Sequence, residues 1–230
     1  MSNLTEILGQ SKLFCDLPED VIEQKLIPAG TIRSCHREEY IITAQSQVDF
    51  IGVVISGKVL VQQMFSDGIN SLISTLKPGY ILGADLICTN TRRSPYFATA
   101  VEPSEVFLIP ANVILEPGVL NQRELMDVWH KLMTFVSHEN MRKHYRIAIL
   151  SHKKMRDRIL VYLTMQASRR GTSTFEIPFS RDELAEFLCV NRSALSHELS
   201  KMEQEGLIRF RKNKFTLLDQ GHERSIWKTF

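Results

Sequence analysis

Cysteine is sparse and scattered: Cys15, Cys35, Cys88 and Cys189 are the only four in 230 residues, and no two form a C-x-x-C pair. That spacing excludes a metal knuckle, and a reducing compartment would keep the thiols unpaired. Long apolar runs are missing too, since none approaches the roughly 18 to 20 residues needed to span a bilayer. The first residues (Met1-Ser-Asn-Leu-Thr-Glu) lack the basic-then-apolar order of a signal peptide. A cytoplasmic protein with no membrane partner is therefore expected. The chain carries no P-loop, no G-x-S-x-G, no H-E-x-x-H and no paired acidic motif, and its seven histidines include no i, i+4 pair. An enzyme is not expected.

What is present is ordinary for a soluble globular chain: 43% hydrophobic and 23% charged residues, in a length that suits one large domain or two smaller ones. The net charge of +2 hides an asymmetry. Residues 1–150 hold 13 Lys/Arg against 16 Asp/Glu, a net of −3, and residues 151–230 hold 15 against 10, a net of +5. Only the second part is expected to meet a polyanion.

Glycines punctuate the stretch from about Ile27 to Pro110, at Gly30, Gly52, Gly57, Gly68, Gly79 and Gly83. Between them lie short β-branched segments such as Phe50–Ile55 and Val59–Phe65, the pattern of an antiparallel sandwich, roll or barrel. Ser56-Gly57-Lys58 and Ser66-Asp67-Gly68 are candidate tight turns. From about Leu120 the period changes. Leu125, Trp129, Leu132 and Val136 fall at i, i+4, i+7 and i+11, with Met126 and Met133 widening the stripe. A long helix, a break near Leu150 to His152 and a second helix are expected. The stripe suits either a dimer seam or packing onto the chain's own sheet.

The last module is the most specific. Phe175 to Phe179 reads as a short strand, and Ser180-Arg181-Asp182-Glu183 fits a capping box. Leu184, Ala185, Phe187 and Leu188 give a first helix its buried face, Cys189-Val190 a turn, and Asn191 an N-cap for a second helix. There Leu195, Leu199 and Met202 face inward, so Arg192, Ser193, Ser196 and His197 project outward on the N-terminal half. Glu205-Gly206-Leu207 reads as a helix stop. A hairpin follows, Leu207 to Phe210 and Phe215 to Leu218, whose Arg209, Arg211, Lys212 and Lys214 suit a phosphate-contacting wing. With Ser180 and Arg181 at the entry, these residues form a candidate DNA-binding surface. The alternative is a helix-turn-helix that serves protein contacts in an effector-binding module.

In this order the chain resembles the CRP/FNR family of bacterial transcription regulators. The resemblance rests on Ile55–Val61, Leu76–Gly83, Ala98-Thr-Ala-Val, Ser180–Ala185 and Val190–Ile208. It implies an α+β architecture: a jelly-roll-like antiparallel β-roll that senses an effector (1–118), a long dimerisation helix (119–150) and a winged helix-turn-helix (151–230). It further implies a homodimer on the long helices, a near-palindromic double-stranded DNA site, contact with RNA polymerase, and a small-molecule effector bound in the roll. By the same resemblance Arg192 matches an arginine that reads guanine. Ser193 stands where a base-reading Glu is usual, and His197 where an arginine is, so a different operator is expected.

Nucleotide-binding members carry Gly-Glu-Leu, whose Glu binds the ribose, and then an Arg-Ser pair on the cyclic phosphate. Here the first run is Gly83-Ala84-Asp85-Leu86, and on an extended segment Asp85 would point to the opposite face. Arg93-Ser94 stands in the right neighbourhood. These residues argue against a cyclic nucleotide, but Arg92 and Arg93, with Lys143 and His144 on the long helix, could hold another anion. Cys15, Cys35 and Cys88 are too dispersed for an iron–sulfur cluster, and the lone Cys35-His36 pair is thin support for haem.

Overall fold

The computed structural model describes residues 2–64 and 70–218; the candidate turn at Ser66-Asp67-Gly68 lies outside them. The chain forms two compact units, Met1–Met141 and Arg142–Phe230, and the division falls inside its longest helix.

The first unit opens with α1 (Ser2–Gln10), then α2 (Glu19–Val21) and α3 (Ile27–Ala29), which are joined by a π-helical turn at Ile22–Leu26. Strands follow: β1 (Thr31–Cys35), β2 (Tyr40–Ile42), β3 (Phe50–Ser56), β4 (Val59–Met64), β5 (Asn70–Leu76) and β6 (Ile81–Leu82). A one-turn helix α4 (Ala84–Ile87) precedes β7 (Phe97–Ala100), β8 (Ser104–Pro110) and α5 (Ala111–Leu115), and α6 (Gln122–Leu150) begins here. The strands make two four-stranded antiparallel sheets, ordered β1-β8-β3-β6 and β2-β7-β4-β5. This is the expected roll.

Side-chain alternation explains the near-continuous apolar run in β3. Ile51 and Val53, with Phe107 and Ile109 of β8, face a helical layer that includes Leu8, Ile114, Leu125 and Leu132. Val54 and Val106 face the other way, onto Val59, Val61, Ala98 and Ala100 of the second sheet. A sheet covered on both faces has no polar side to show.

One expectation is corrected. Leu125 and Leu132, read as dimer-seam residues, are each 5% exposed and belong to the core of their own unit, and Val136 packs half-buried against it. Trp129 donates from Nε1 to the Ile114 carbonyl at 2.6 Å. A side chain already buried by its own roll has no area left for a partner. Beside these leucines the apolar groups that α6 exposes lie one position round, at Met126, Met133 and the outer face of Trp129, and further along the helix at Met141 and Ile147.

The second unit contains the end of α6, then α7 (Met155–Arg170), β9 (Thr174–Glu176), α8 (Arg181–Phe187), α9 (Arg192–Gln204), β10 (Ile208–Arg211) and β11 (Lys214–Leu217). Its sheet is ordered β10-β11-β9. One core of Ile159, Tyr162, Leu163, Leu184, Leu195, Leu199, Met202 and Phe215 joins α7, both helices of the motif and the hairpin. Among the described residues no helix is long and apolar enough to cross a membrane.

Candidate nucleic-acid interface

Local chemistry fixes where α8 and α9 start and stop. At the entry to α8, Ser180 Oγ accepts from the Glu183 amide at 3.3 Å while Glu183 Oε2 accepts from the Ser180 amide at 2.7 Å, a complete capping box. The turn bends at Cys189, whose φ of 54° puts a non-glycine residue in the left-handed region. Asn191 Oδ1 then accepts from the amides of Ser193 (2.8 Å) and Ala194 (3.4 Å), which sets the first turn of α9. At the far end Gly206 has φ 75°, with Gly206 N donating to Glu203 O and Leu207 N to Met202 O, both 3.0 Å. That pair of bonds is a Schellman stop, and it needs a residue without Cβ strain at Gly206.

Leu195, Leu199 and Met202 are fully buried, so the opposite face of α9 turns to solvent. Arg192, Ser193 and His197 are exposed and Ser196 is half-exposed. Serine, histidine and arginine side chains on the first two turns of such a helix suit hydrogen bonds to base edges and phosphates. Arg192 Nε lies 3.0 Å from Asp182 Oδ1 on the first turn of α8, with side chains 65% and 60% exposed. The helix is held from behind by Arg156 of α7. Its Nε bonds Glu198 Oε1 at 2.5 Å, and Nη1 and Nη2 bond the two carboxylate oxygens of Glu205 at 2.6 and 3.1 Å.

The hairpin turns at Lys212-Asn213 and pairs Phe210 with Phe215 and Arg211 with Lys214. Arg209, Arg211, Lys212 and Lys214 are all exposed. Like charges directly opposite on a strand pair repel, so the Arg211–Lys214 pair adds nothing to the hairpin's own stability. Arg181 behaves differently. Its guanidinium lies 5.1 Å from the Phe210 ring and 5.8 Å from the Phe215 ring, and it donates to the Lys212 carbonyl at 3.2 Å. Burial, with nearby Arg192 adding to it, holds its pKa below the usual arginine range. Arg181 thus ties the start of α8 to the wing tip. Beside it is a cleft of about 460 Å³ lined by Pro178, Phe179, Ser180, Arg181, Lys212 and Asn213.

The residues expected to hold an effector are placed less favourably. Gly83 has φ 79°, and a Cβ there would sit 2.8 Å from the Phe50 carbonyl oxygen, so the position requires glycine. Ala84–Ile87 is a helical turn and not an extended segment, which corrects the reading of Asp85: its Oδ1 accepts from the Tyr96 hydroxyl at 2.8 Å. Burial, then the Asp85 carboxylate, pushes the Tyr96 hydroxyl far above the ordinary phenol range. Ala84 is buried. Ser94 is also a correction: it is fully buried, and its hydroxyl donates to Tyr96 O at 2.8 Å and accepts from Tyr96 N at 3.2 Å. Arg92 bonds Asp49 at 2.8 Å, and Arg93 donates to the Gln45 carbonyl at 3.1 Å. The two guanidiniums and the serine hydroxyl therefore serve three different partners within the roll. Lys143 and His144 are exposed on the part of α6 that belongs to the second unit.

Sequence reasoning passed over Asp182, Arg156, Asp49 and Tyr96. Asp182 stood in plain view inside the capping box, as an acid ten positions before Arg192. Nothing local could have paired Arg156 with Glu198 and Glu205, which lie 42 and 49 positions away.

Comparison with known proteins agrees with this geometry. Residues 157–221 match the Crp-like helix-turn-helix domain, and residues 32–116 match the cyclic nucleotide-binding domain. Electron transport regulator A of Shewanella oneidensis is 24% identical over 217 residues, covering 92% of this chain and 81% of the relative. Transcriptional activator protein FnrL of Cereibacter sphaeroides is 22% identical over 185 residues, 76% of this chain and 71% of the relative. Among solved structures, the cyclic-di-GMP-responsive regulator CLP of Xanthomonas campestris superposes with a TM-score of 0.68 at 15% identity, over 88% of this chain and all of that one. A roll matched to the one domain type and a winged module matched to the other, in the order in which regulators of this kind carry them, place the chain in the CRP/FNR family of transcription regulators.

Proposed function

We propose that the chain works as a homodimer that binds a near-palindromic duplex site through α9 and the β10–β11 wing, and that an effector in the roll switches it. The observation that carries this reading is the exposed face of α9. Arg192, Ser193 and His197 stand on its capped N-terminal half, and the basic wing flanks them. A helix kept only for protein contacts would not need four exposed cations on the adjacent hairpin. Ser180 and Asn191 act through the caps, while Ser196, Arg209, Arg211, Lys212 and Lys214 reach DNA directly.

The functional division follows the roll (1–118), the dimerisation helix (119–150) and the DNA-binding module (151–230). The dimer forms on the exposed row of α6, Met126, Trp129 and Met133, in place of the buried leucines. Half-sites about one helical turn apart, roughly 34 Å, match such a two-fold protein. RNA polymerase is the partner through which a bound dimer acts on transcription. Arg92 and Arg93 supply cations for an anionic effector. Cyclic AMP is disfavoured, because no glutamate follows Gly83 and Ser94 is spent on Tyr96.

A mobility-shift titration on duplexes selected from a random pool tests the reading. Binding is expected to weaken steeply with salt, and the recovered site is expected to differ from that of the cyclic-AMP branch, because Ser193 and His197 replace its base readers. Binding indifferent to salt would rule out the wing contacts.

A further inference from the structure

We infer that Asp182 is a specificity-determining residue: it holds the Arg192 side chain by Nε so that the two terminal nitrogens are presented to a base edge. The inference rests on the reading of α9 as the base-contacting helix. Its ground is the ion pair that crosses the helix-turn-helix, Arg192 Nε to Asp182 Oδ1 at 3.0 Å.

Stability does not account for that pair. Both side chains are well over half exposed, and exposed ion pairs add little to a fold. Its position does carry meaning. Asp182 lies on the first turn of α8 and Arg192 is the first residue of α9, so the pair joins the two helix starts that face the same solvent. An unrestrained arginine at the edge of a basic surface takes whichever acceptor is nearest, and on DNA that acceptor is most often a phosphate. A carboxylate on Nε changes this in two ways. Its charge, 3.0 Å from Nε, draws that side of the guanidinium towards Asp182 and leaves the two terminal nitrogens for the paired acceptors of a guanine edge. It also sets a negative charge beside the backbone path, which penalises registers that bring a phosphate to that point. Arg181, the neighbouring cation, is already stacked on Phe210 and Phe215, so it does not compete for Asp182.

The test measures base discrimination rather than affinity alone. The full-length protein is titrated with its selected duplex, with every single-base-pair variant of one half-site, and with a random duplex. Arg192→Ala first identifies the base pair that Arg192 reads, as the one whose substitution cost disappears. In Asp182→Asn and Asp182→Ala, discrimination at that pair is expected to fall on the order of tenfold, within the range of one bidentate contact. Other pairs should keep their costs, and the random duplex should bind several-fold more tightly. In the Arg192→Ala background, Asp182→Asn should leave discrimination unaltered. Undiminished discrimination at the Arg192 pair in both Asp182 variants would overturn the inference, as would an equal loss at every pair. If the unmutated protein bound no duplex at all, the reading of α9 itself would fall.

Discussion

Arg156 shows how a single residue in this chain can serve one helix from another. It engages three carboxylate oxygens, one on Glu198 and two on Glu205, so the middle of α9 and its C-cap are both fastened to α7. The planar fork suits this double task, and a lysine in its place could not hold Glu205 with two nitrogens. The Arg156 hydrogen bond, more than any other influence, holds the Glu205 carboxyl below its ordinary pKa of 4.5. A lowered carboxylate stabilises the fold while it is charged. That contribution is complete above the ordinary value and is lost as pH falls through the lower folded one. Glu205→Gln is therefore expected to unfold at lower denaturant than the unmutated protein near neutrality. The gap should close as the titration is repeated towards pH 4 and below, and a gap that stayed constant with pH would mean that the charge of Glu205 contributes nothing.

At the scale of the element, α6 presents two adjacent rows, one buried and one exposed. Leu125 and Leu132 are buried in the roll's core, and truncating either to Ala removes packing worth about 2–5 kcal/mol. Met126 and Met133, with Asn140 and Ile147, recur every seven residues and are all exposed. That is the period of a two-stranded seam, in which one polar residue at the repeated position sets the register. Leu132→Ala is accordingly expected to lower thermal stability, with the oligomeric state retained below the melt. Met133→Glu should leave the roll folded but shift sedimentation towards monomer, and sedimentation identical to the unmutated protein would place the dimer contact elsewhere. This split also marks how far the sequence could be read. The capping box, the Asn191 cap and the Gly206 stop are legible because every partner lies within a few positions. The helical period of α6 was equally plain, but a stripe that wide does not say which of its rows meets the chain's own sheet. Helix α4 was missed because four residues are too few to establish a period, and its start depends on the left-handed Gly83 packed against the Phe50 carbonyl. Ser94 and Tyr96 close a loop on themselves through bonds that no spacing rule anticipates.

For the molecule as a whole, charge is divided along the chain: net −3 over residues 1–150 and net +5 over residues 151–230. That division favours a polyanion at the module that carries α9 and the wing over one at the acidic roll. The two classes of contact proposed for that module differ in their thermodynamic signature. A cation on a phosphate releases condensed counterions, so each one adds about 0.9 to the magnitude of the log–log salt slope on duplex DNA. A bond to a base edge adds to discrimination and little to the slope. Lys214, exposed on the wing and directly opposite Arg211, belongs to the first class. Because a dimer carries two wings, Lys214→Gln is expected to lower the slope by about 1.8 and to weaken selected and random duplexes alike. Relief of the repulsion from Arg211 should leave the hairpin no less stable than before. Arg192→Ala should do the reverse, flattening the preference for one base pair in each half-site while the slope barely moves. If Lys214→Gln left the slope intact, the wing would lie off the DNA, and the phosphate contacts would have to come from the helix starts alone.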